Sequence, residues 1–564
     1  MALNSFEFLF VFLPIVVSSY WILHRYHGYQ SASMWLVLSS FVFFLLSSVR
    51  SLIVLSPFIF SDYFIAKSVL AMDKSKERER SRLITVGIIV NVGYLCFFKY
   101  WNSIANEVAS LVGHDALIAK VALPLGISFL TFQKISFLCD VSSGKITEVR
   151  IGEYLLFALF FPKAVAGPIV HYNELVTQTK SRSSESFPTH LCAGFCLFAF
   201  GLFKKCVISD GVAQFVDRAF SPSAEDIPLT FIDAWVGVLA YTFQLYFDFS
   251  GYSDMALGAA RMLGIRLPMN FNSPLKATSV VEYWGRWHIT LTRFLTWYVY
   301  VPLVRKITRA RASKRKLLLK GPNSSWSALW AMVSIPTIVT MMVSGLWHGV
   351  GWQFVIWGLL QGSYLTVNQI WRMIRPKVWT NEESYRRVMN PVGWMMTFLA
   401  VVFALVFFRS SSPGGAISVV KAMIGLNGTT PHLVVLAHQA GYTYDWLALD
   451  RPLAPLMWIG VIFIIVLAMP NSLEVLRRFR PALDFPPKGG ESVASEVGTS
   501  GKVSNSLSTD SAKVVRWLAV IRQAWDSLRS GVFHDHLTAV FASILFVLGT
   551  MAIGRAVPFI YGAF

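Results

Sequence analysis

The chain has 564 residues, of which 54% are hydrophobic and only 14% are charged. Soluble domains average about 25% charged residues, so this composition excludes an ordinary soluble protein. Aromatic residues make up 15% of the chain, and apolar stretches alternate with short polar loops along most of its length. We therefore expect an all-α, polytopic integral membrane protein in contact with the lipid bilayer.

The formal net charge of +19 raises the question of nucleic-acid binding. The basic residues cluster between apolar stretches, however, as the positive-inside rule describes for cytoplasmic loops. One cluster lies in residues 73–82, and a second in 305–320 holds eight basic residues and no acid. This placement argues against a nucleic-acid partner and predicts that the N-terminus and the C-terminus both lie outside the cytoplasm.

The first apolar stretches are long enough to cross a bilayer, but Pro, Gly or charge interrupts several later ones, among them 118–138 and 151–170. An interrupted backbone at membrane depth must be surrounded by protein or must line a water-filled cavity. With about 20 apolar residues needed for each crossing, we expect about 11–13 transmembrane helices. Re-entrant and interfacial helices should accompany them around a central cavity.

The predicted domain organisation has four parts. Residues 1–480 form a membrane domain, and residues 537–564 form a C-terminal transmembrane segment of the same domain. Between them, residues 481–512 are rich in Gly, Ser, Thr and Lys, which is typical of a disordered insert on the cytoplasmic side. Residues 513–530 place large apolar side chains on one helical face, which predicts an amphipathic interfacial helix.

Two carboxylates end a long apolar run, and charged side chains in such runs are functional candidates. Asp248 and Asp254 are six residues apart and do not share a helix face, so they suit an acid/base pair poorly. An ion pair with Arg261, Arg266 or Arg286 is the favoured alternative to a contact with substrate.

Two histidines also stand in apolar surroundings. His288 follows Trp287 at the start of an apolar stretch, and His348 stands between two apolar runs beside Gly349. A neutral imidazole can accept the proton of an alcohol near physiological pH. The residues alone leave this role open against a buried structural histidine or a loop histidine at the membrane surface. No zinc-ligand spacing, phosphate-binding loop or nucleophile elbow is present, so we expect no metal.

These clusters, in this order, resemble the membrane-bound O-acyltransferase family, and most closely its bacterial alginate and exopolysaccharide O-acetyltransferase branch. The resemblance covers roughly residues 1–480 and the last span. The segments that carry it are 8–14 (FLFVFLP), 123–129 (LPLGISF), 161–169 (FPKAVAGPI), 247–254, 270–274 (NFNSP), 287–288 and 347–349.

In that family the histidine that matches His348 is regarded as the catalytic one, and the histidine that matches His288 is a second important position. The resemblance thus implies that both histidines are catalytic, with His348 as general base on an acceptor hydroxyl. Within or beside these motifs we expect substrate contacts from Trp347, Arg286, Asp248, Asp254 and Asn272.

The resemblance further implies transfer of an acetyl group from a cytoplasmic thioester, acetyl-CoA, across the bacterial inner membrane to an exported polysaccharide such as alginate. An extracytoplasmic esterase-like acetyltransferase and an exopolysaccharide synthesis and export complex would be partners, and the termini would be periplasmic. Counting spans places the turn at His348 near the outer face, so we expect a site at mid-membrane that is open to both sides.

Other readings remain at this point. A polysaccharide or lipid transporter would also be a multi-pass membrane protein with charged residues inside the membrane. The same holds for a non-catalytic scaffold of an exopolysaccharide synthase complex. Within the family, cellulose acylation and D-alanylation of teichoic acid are alternatives.

Overall fold

The computed structural model describes residues 1–112, 121–180, 185–220, 229–319, 324–428, 454–484 and 532–555, together with Val557 and Phe559. All regular structure in these ranges is helical, and none of it is strand. The all-α class is therefore confirmed. The predicted amphipathic helix at 513–530 and almost all of the predicted insert at 481–512 lie outside the described residues.

The chain opens with long helices in succession. A π-helical turn at Phe8–Phe12 leads into the first of them without a break. Apolar side chains dominate these helices up to α4, whose first turn carries Glu77 and Glu79. They are α1 (Leu13–Tyr26), α2 (Gly28–Ser47), α3 (Val49–Ala71) and α4 (Glu77–Val112).

The next apolar stretches break inside the protein, as their Pro and Gly residues predict. Helix α5 (Ile127–Ser142) begins after Gly126, which has φ +73°, and a Cβ there would lie 2.3 Å from the carbonyl oxygen of Ala164. Helix α6 (Ile151–Leu159) ends after nine residues, and a largely buried, mostly non-helical segment follows it up to α7 (Tyr172–Lys180). The broken backbone is thus surrounded by protein, as a membrane interior requires.

The centre of the fold is one long helix that is almost wholly buried, α10 (Phe231–Met262). Its most extensive packing is against α8 (Phe187–Phe203) and α9 (Asp210–Phe220), which a π-helical turn at Lys204–Ser209 joins. Since α10 touches helices from both halves of the chain, it forms the axis of the core.

The second half of the chain adds further helices, of which α17, α18 and α19 pack on α10, while α15 and α16 form an extensively packed pair. These helices are α11 (Val280–Trp284), α12 (Ile289–Leu295), α13 (Val301–Ser313), α14 (Trp326–Leu329), α15 (Ile335–His348), α16 (Trp352–Val378), α17 (Glu382–Arg409), α18 (Pro413–Met423), α19 (Ala454–Ala468), α20 (Ser472–Val475) and α21 (Val532–Ala552).

Seven helical segments of the described chain are long and apolar enough to cross a membrane, and two shorter apolar helices lie at Pro455–Ala468 and His536–Ala552. Helix α10 has sufficient length as well, but it carries four charged side chains. The seven are fewer than the predicted 11–13 because stretches such as 151–170 and 287–304 fold as short or broken helices. The number of crossings stays a prediction.

Candidate active site

His348 is the last residue of α15 and is 2% exposed. Three aromatic rings from three helices surround its imidazole. The ring centroids of Trp347, Phe408 and Trp357 lie 4.6, 5.0 and 5.1 Å from that of His348. The histidine that the sequence places between two apolar runs therefore lies at a helix end and is enclosed by aromatic side chains.

A narrow cavity adjoins this imidazole. It has space for about one water molecule, so reacting groups must displace side chains to enter. At its rim the indole N–H of Trp284 donates to Oε1 of Gln361 at 3.1 Å. The lining consists of His348, Leu245, Tyr283, Trp284, Trp287, Trp357, Gln361, Val401, Leu405 and Phe408.

The depth of the cavity can be measured along α10, because Leu245 belongs to its lining. At 1.5 Å per residue, Leu245 stands about 21 Å from Phe231 and about 26 Å from Met262 at the two ends of the helix. The cavity thus lies near the middle of the longest buried helix. This agrees with a site deep in the protein rather than on a surface loop.

His288 is fully buried at the N-terminal end of α12 and has φ +42°, which is uncommon for a residue with a side chain. Its Nδ1 lies 3.2 Å from Oδ1 of Asn270, and the same oxygen accepts from the backbone N–H and the hydroxyl of Thr290. This network makes Nδ1 the protonated nitrogen of the neutral ring, so that Nε2 is the acceptor. Asn270 therefore fixes the orientation and the tautomer of His288.

Trp347 lies between the two histidines. Its ring centroid is 4.6 Å from that of His348 and 6.5 Å from that of His288. Phe132 packs on the same indole at 4.9 Å. Trp347 and His348, which are adjacent in sequence, are thus brought together with the distant His288 in one aromatic cluster.

Arg286 and Asn272 lie together, but outside the cavity lining. The Nη2 of Arg286 donates to Oε1 of Glu282 at 2.6 Å, and its Nη1 donates to the carbonyl oxygen of Asn272 at 3.4 Å. The side-chain oxygen of Asn272 accepts from Asn471 at 3.2 Å. These contacts hold both residues in a half-buried polar network beside the site.

Asp248 and Asp254 are each paired with a lysine, and neither lines the cavity. Asp248 Oδ1 lies 2.7 Å from Nζ of Lys205, and Asp254 Oδ2 lies 2.6 Å from Nζ of Lys204. The hydroxyl of Ser472 also donates to Asp254 at 2.5 Å.

The expected partners of these two carboxylates were wrong. Arg261 and Arg266 both bind Glu185, and Arg286 binds Glu282. The π-helical turn after α8 turns two consecutive lysines towards α10, a geometry that no local sequence pattern indicates. The sequence nevertheless marked these two lysines as candidates, since they end an apolar run and charged residues at such places are functional candidates.

Sequence reasoning also missed the aromatic and amide residues that complete the cavity, such as Trp357, Phe408 and Gln361. Each stands in an apolar helix where it looks like an ordinary packing residue. In the ranges that the structure describes, no group of three His, Cys, Asp or Glu side chains is arranged to hold a metal ion.

A polytopic helical fold that encloses two neighbouring histidines defines an integral membrane protein with a buried polar site. The membrane-bound O-acyltransferase (MBOAT) family matches this chain over residues 6–319, which is more than half of it. The chain therefore belongs to the MBOAT family. It is a multi-pass membrane acyltransferase, which sets aside the transporter and the non-catalytic scaffold.

Relatives extend the similarity beyond the family match. The peptidoglycan O-acetyltransferase of Helicobacter pylori is 35% identical over 456 residues, which are 76% of this chain and 80% of that protein. "Probable alginate O-acetylase AlgI" of Pseudomonas aeruginosa is 33% identical over 73% of this chain and 72% of that protein. The teichoic acid D-alanyltransferase of Streptococcus thermophilus is 27% identical over 50% of this chain and 68% of that protein.

Proposed function

We propose that this protein moves an acetyl group from cytoplasmic acetyl-CoA to a hydroxyl group of an exported polysaccharide, at the inner membrane of a bacterium. The observation that carries the proposal is the cluster of His348, Trp347 and His288, enclosed about halfway along the central helix α10. A site at that depth lets a cytoplasmic thioester and an external acceptor meet without moving the charged cofactor through lipid.

In the proposed reaction, His348 accepts the proton of the acceptor hydroxyl while the hydroxyl oxygen attacks the thioester carbonyl carbon. The C–S bond then breaks, and the departing thiolate receives the proton from His348. The products are the acetyl ester and the free thiol, so atoms and charge balance. His288, whose tautomer Asn270 holds, presents Nε2 to orient the acceptor or to assist the proton transfer.

The developing oxyanion needs a hydrogen-bond donor inside the site. Arg286 is engaged by Glu282 and does not line the cavity, which argues against it in this role. The indole N–H groups of Trp347 and Trp357 are buried and have no hydrogen-bond partner among the described residues. Trp357 also lines the cavity with His348, so it is the donor that we assign to the oxyanion.

The acceptor is proposed from the relatives. One relative is named a peptidoglycan O-acetyltransferase and others are named probable alginate O-acetylases, at 31–35% identity over about three quarters of this chain, so the chemistry that these names share is O-acetylation of a glycan. D-alanylation of teichoic acid is the weaker candidate because that relative is 27% identical over half of the chain. An extracytoplasmic esterase-like partner and a polysaccharide synthesis and export complex complete the proposal.

The test is the O-acetyl content of glycans from cells that carry His348→Ala. Exopolysaccharide and peptidoglycan are isolated separately, and acetate is released with alkali and quantified. The exposed residue His27 supplies the control variant His27→Ala. We expect one glycan to lose its acetate in His348→Ala only, at an equal amount of protein in the membrane.

The glycan that loses acetate identifies the acceptor. Full acetylation of both glycans in His348→Ala would contradict the catalytic assignment. His288→Ala should lower acetylation as well, and an unchanged level would reduce His288 to a packing role.

A further inference from the structure

The C-terminal end of α15, which carries His348, is capped by another helix. The last four carbonyl groups of a helix have no partner within it. Here the N–H of Gly349 reaches the first of them, on Gly345, at 3.4 Å. The remaining three belong to residues 346–348.

Helix α4 supplies the donors for those three carbonyl groups. The hydroxyl of Tyr100 donates to the carbonyl oxygen of Leu346. The ammonium of Lys99 donates to the carbonyl oxygens of Trp347 and of His348, the latter at 3.1 Å. All four carbonyl groups at this helix end therefore have a hydrogen-bond donor, and three of the four hydrogen bonds come from two adjacent residues of α4.

Lys99 is an unexpected residue at this place. Only 17% of the most apolar part of α4 is buried in the protein, so most of this helix is placed to face lipid. A charged side chain within such a helix is costly and marks a functional position by default. The ammonium meets carbonyl oxygens and the face of Trp347, whose ring centroid is 5.5 Å away. It thus complements the negative end of the α15 dipole.

We propose that Lys99 is a positioning residue for His348, which acts by holding the last turn of α15. The proposal rests on the proposed function of His348. Without Lys99, the last two carbonyl groups of the helix, those of Trp347 and His348, would lose their donor, and His348 is the final residue of that turn. A misplacement of about 1 Å in an active site can lower the rate about 100-fold.

The proposal predicts a specific kinetic pattern for Lys99→Met. The imidazole would be misplaced in the transition state, while the contacts that bind the thioester would be unaffected. We expect kcat to fall about 10- to 100-fold, with KM for acetyl-CoA unchanged within about twofold. Lys99→Arg should regain most of kcat, because a guanidinium can donate to the same carbonyl oxygens.

The assay uses inverted membrane vesicles from the native host, which contain the acceptor glycan and the full-length protein. Acetyl-CoA with a radiolabelled acetyl group is titrated, and label in the glycan is counted. Lys67→Met is the matched control, since Lys67 is exposed on α3 and its ammonium faces the ring of Tyr63 on the same helix. Protein amount and melting temperature are measured for each variant.

The outcomes separate this proposal from the proposed function. Wild-type kcat in Lys99→Met, with His348→Ala inactive, would overturn the positioning role alone. Full activity in His348→Ala would overturn the proposed function first. If Lys99→Met does not accumulate in the membrane, Lys99→Gln is measured instead, because its shorter amide cannot reach both carbonyl oxygens. A lowered kcat in Lys99→Gln supports the proposal, and a wild-type kcat overturns it.

Discussion

Asp248 and Lys205 form an ion pair of 2.7 Å whose side chains are 0% and 3% exposed. Lys205 also binds Asp210 at 2.8 Å and donates to the carbonyl oxygen of Val557 at 2.9 Å. The pair thus joins the central helix α10 to the turn after α8 and to a residue beyond α21. This position suggests a structural role for Asp248, in contrast to the substrate contact predicted from the sequence.

Asp248→Leu should therefore destabilise the protein strongly. Removing one partner of a buried ion pair costs about 3–5 kcal/mol, and we expect the lower end of this range because Asp210 stays beside the ammonium of Lys205. We expect a clear fall in melting temperature, measured by fluorescence-detected size-exclusion chromatography after heating. The double variant Asp248→Leu with Lys205→Met should not recover the loss, because it also removes the ion-pair partner of the buried Asp210. An unchanged melting temperature together with lost acetyl transfer would instead assign Asp248 to substrate binding.

Trp357→Phe tests the proposed oxyanion donor. The substitution keeps an aromatic ring beside His348 and removes the indole N–H. Loss of one such donor lowers kcat about 100- to 1,000-fold in other enzymes, and we expect a fall towards that range with little change in KM. Trp394→Phe is the control, because that indole donates to the backbone of Leu275. Normal kcat in Trp357→Phe would shift the role to Trp347 or to backbone N–H groups.

Gly345→Ala should disturb the site through packing. A Cβ at Gly345 would lie 2.3 Å from the carbonyl oxygen of Phe354, so α16 must move away from the turn that carries His348. Such overpacking costs about 1–3 kcal/mol, and we expect lower melting temperature and lower acetyl transfer. Gly460→Ala is the control, because a Cβ there meets nothing within 4 Å. Equal behaviour of the two variants would contradict the close packing of α15 on α16.

A pH-dependent contribution to stability is expected at Glu185. Burial alone would raise the pKa of this carboxyl, but hydrogen bonds and charge from Arg261 and charge from Arg266 hold its pKa below the usual value. A lowered folded-state pKa stabilises the protein above the unfolded-state pKa, near 4.3 for Glu. The contribution is lost as the pH falls through the folded-state value.

The comparison of wild type with Glu185→Gln checks this sign. The melting temperature of Glu185→Gln should lie below that of the wild type at pH 7, and the difference should shrink as the pH falls below about 4.3. A constant difference across this range would show that the carboxyl charge does not stabilise the fold.

Much of the architecture follows from local pattern. The apolar runs predicted helices, and Pro162 and Gly167 indicated the break after α6, because backbone constraints act over a few residues. The motif order also predicted the family and singled out both histidines. The ion-pair partners of Asp248 and Asp254 were predicted wrongly, since the arginines closest in sequence are turned towards other acids.

By itself, the sequence determined that this is an all-α membrane acyltransferase, because composition, hydropathy and motif order are properties of the sequence and do not depend on how the helices pack. Only the tertiary structure decided that Trp347 lies between the two histidines, that Asn270 holds His288, and that Lys99 caps the helix of His348. The physical reason is distance along the chain. Lys99 and His348 are 249 residues apart, and a contact of that range depends on how the helices pack rather than on any local pattern.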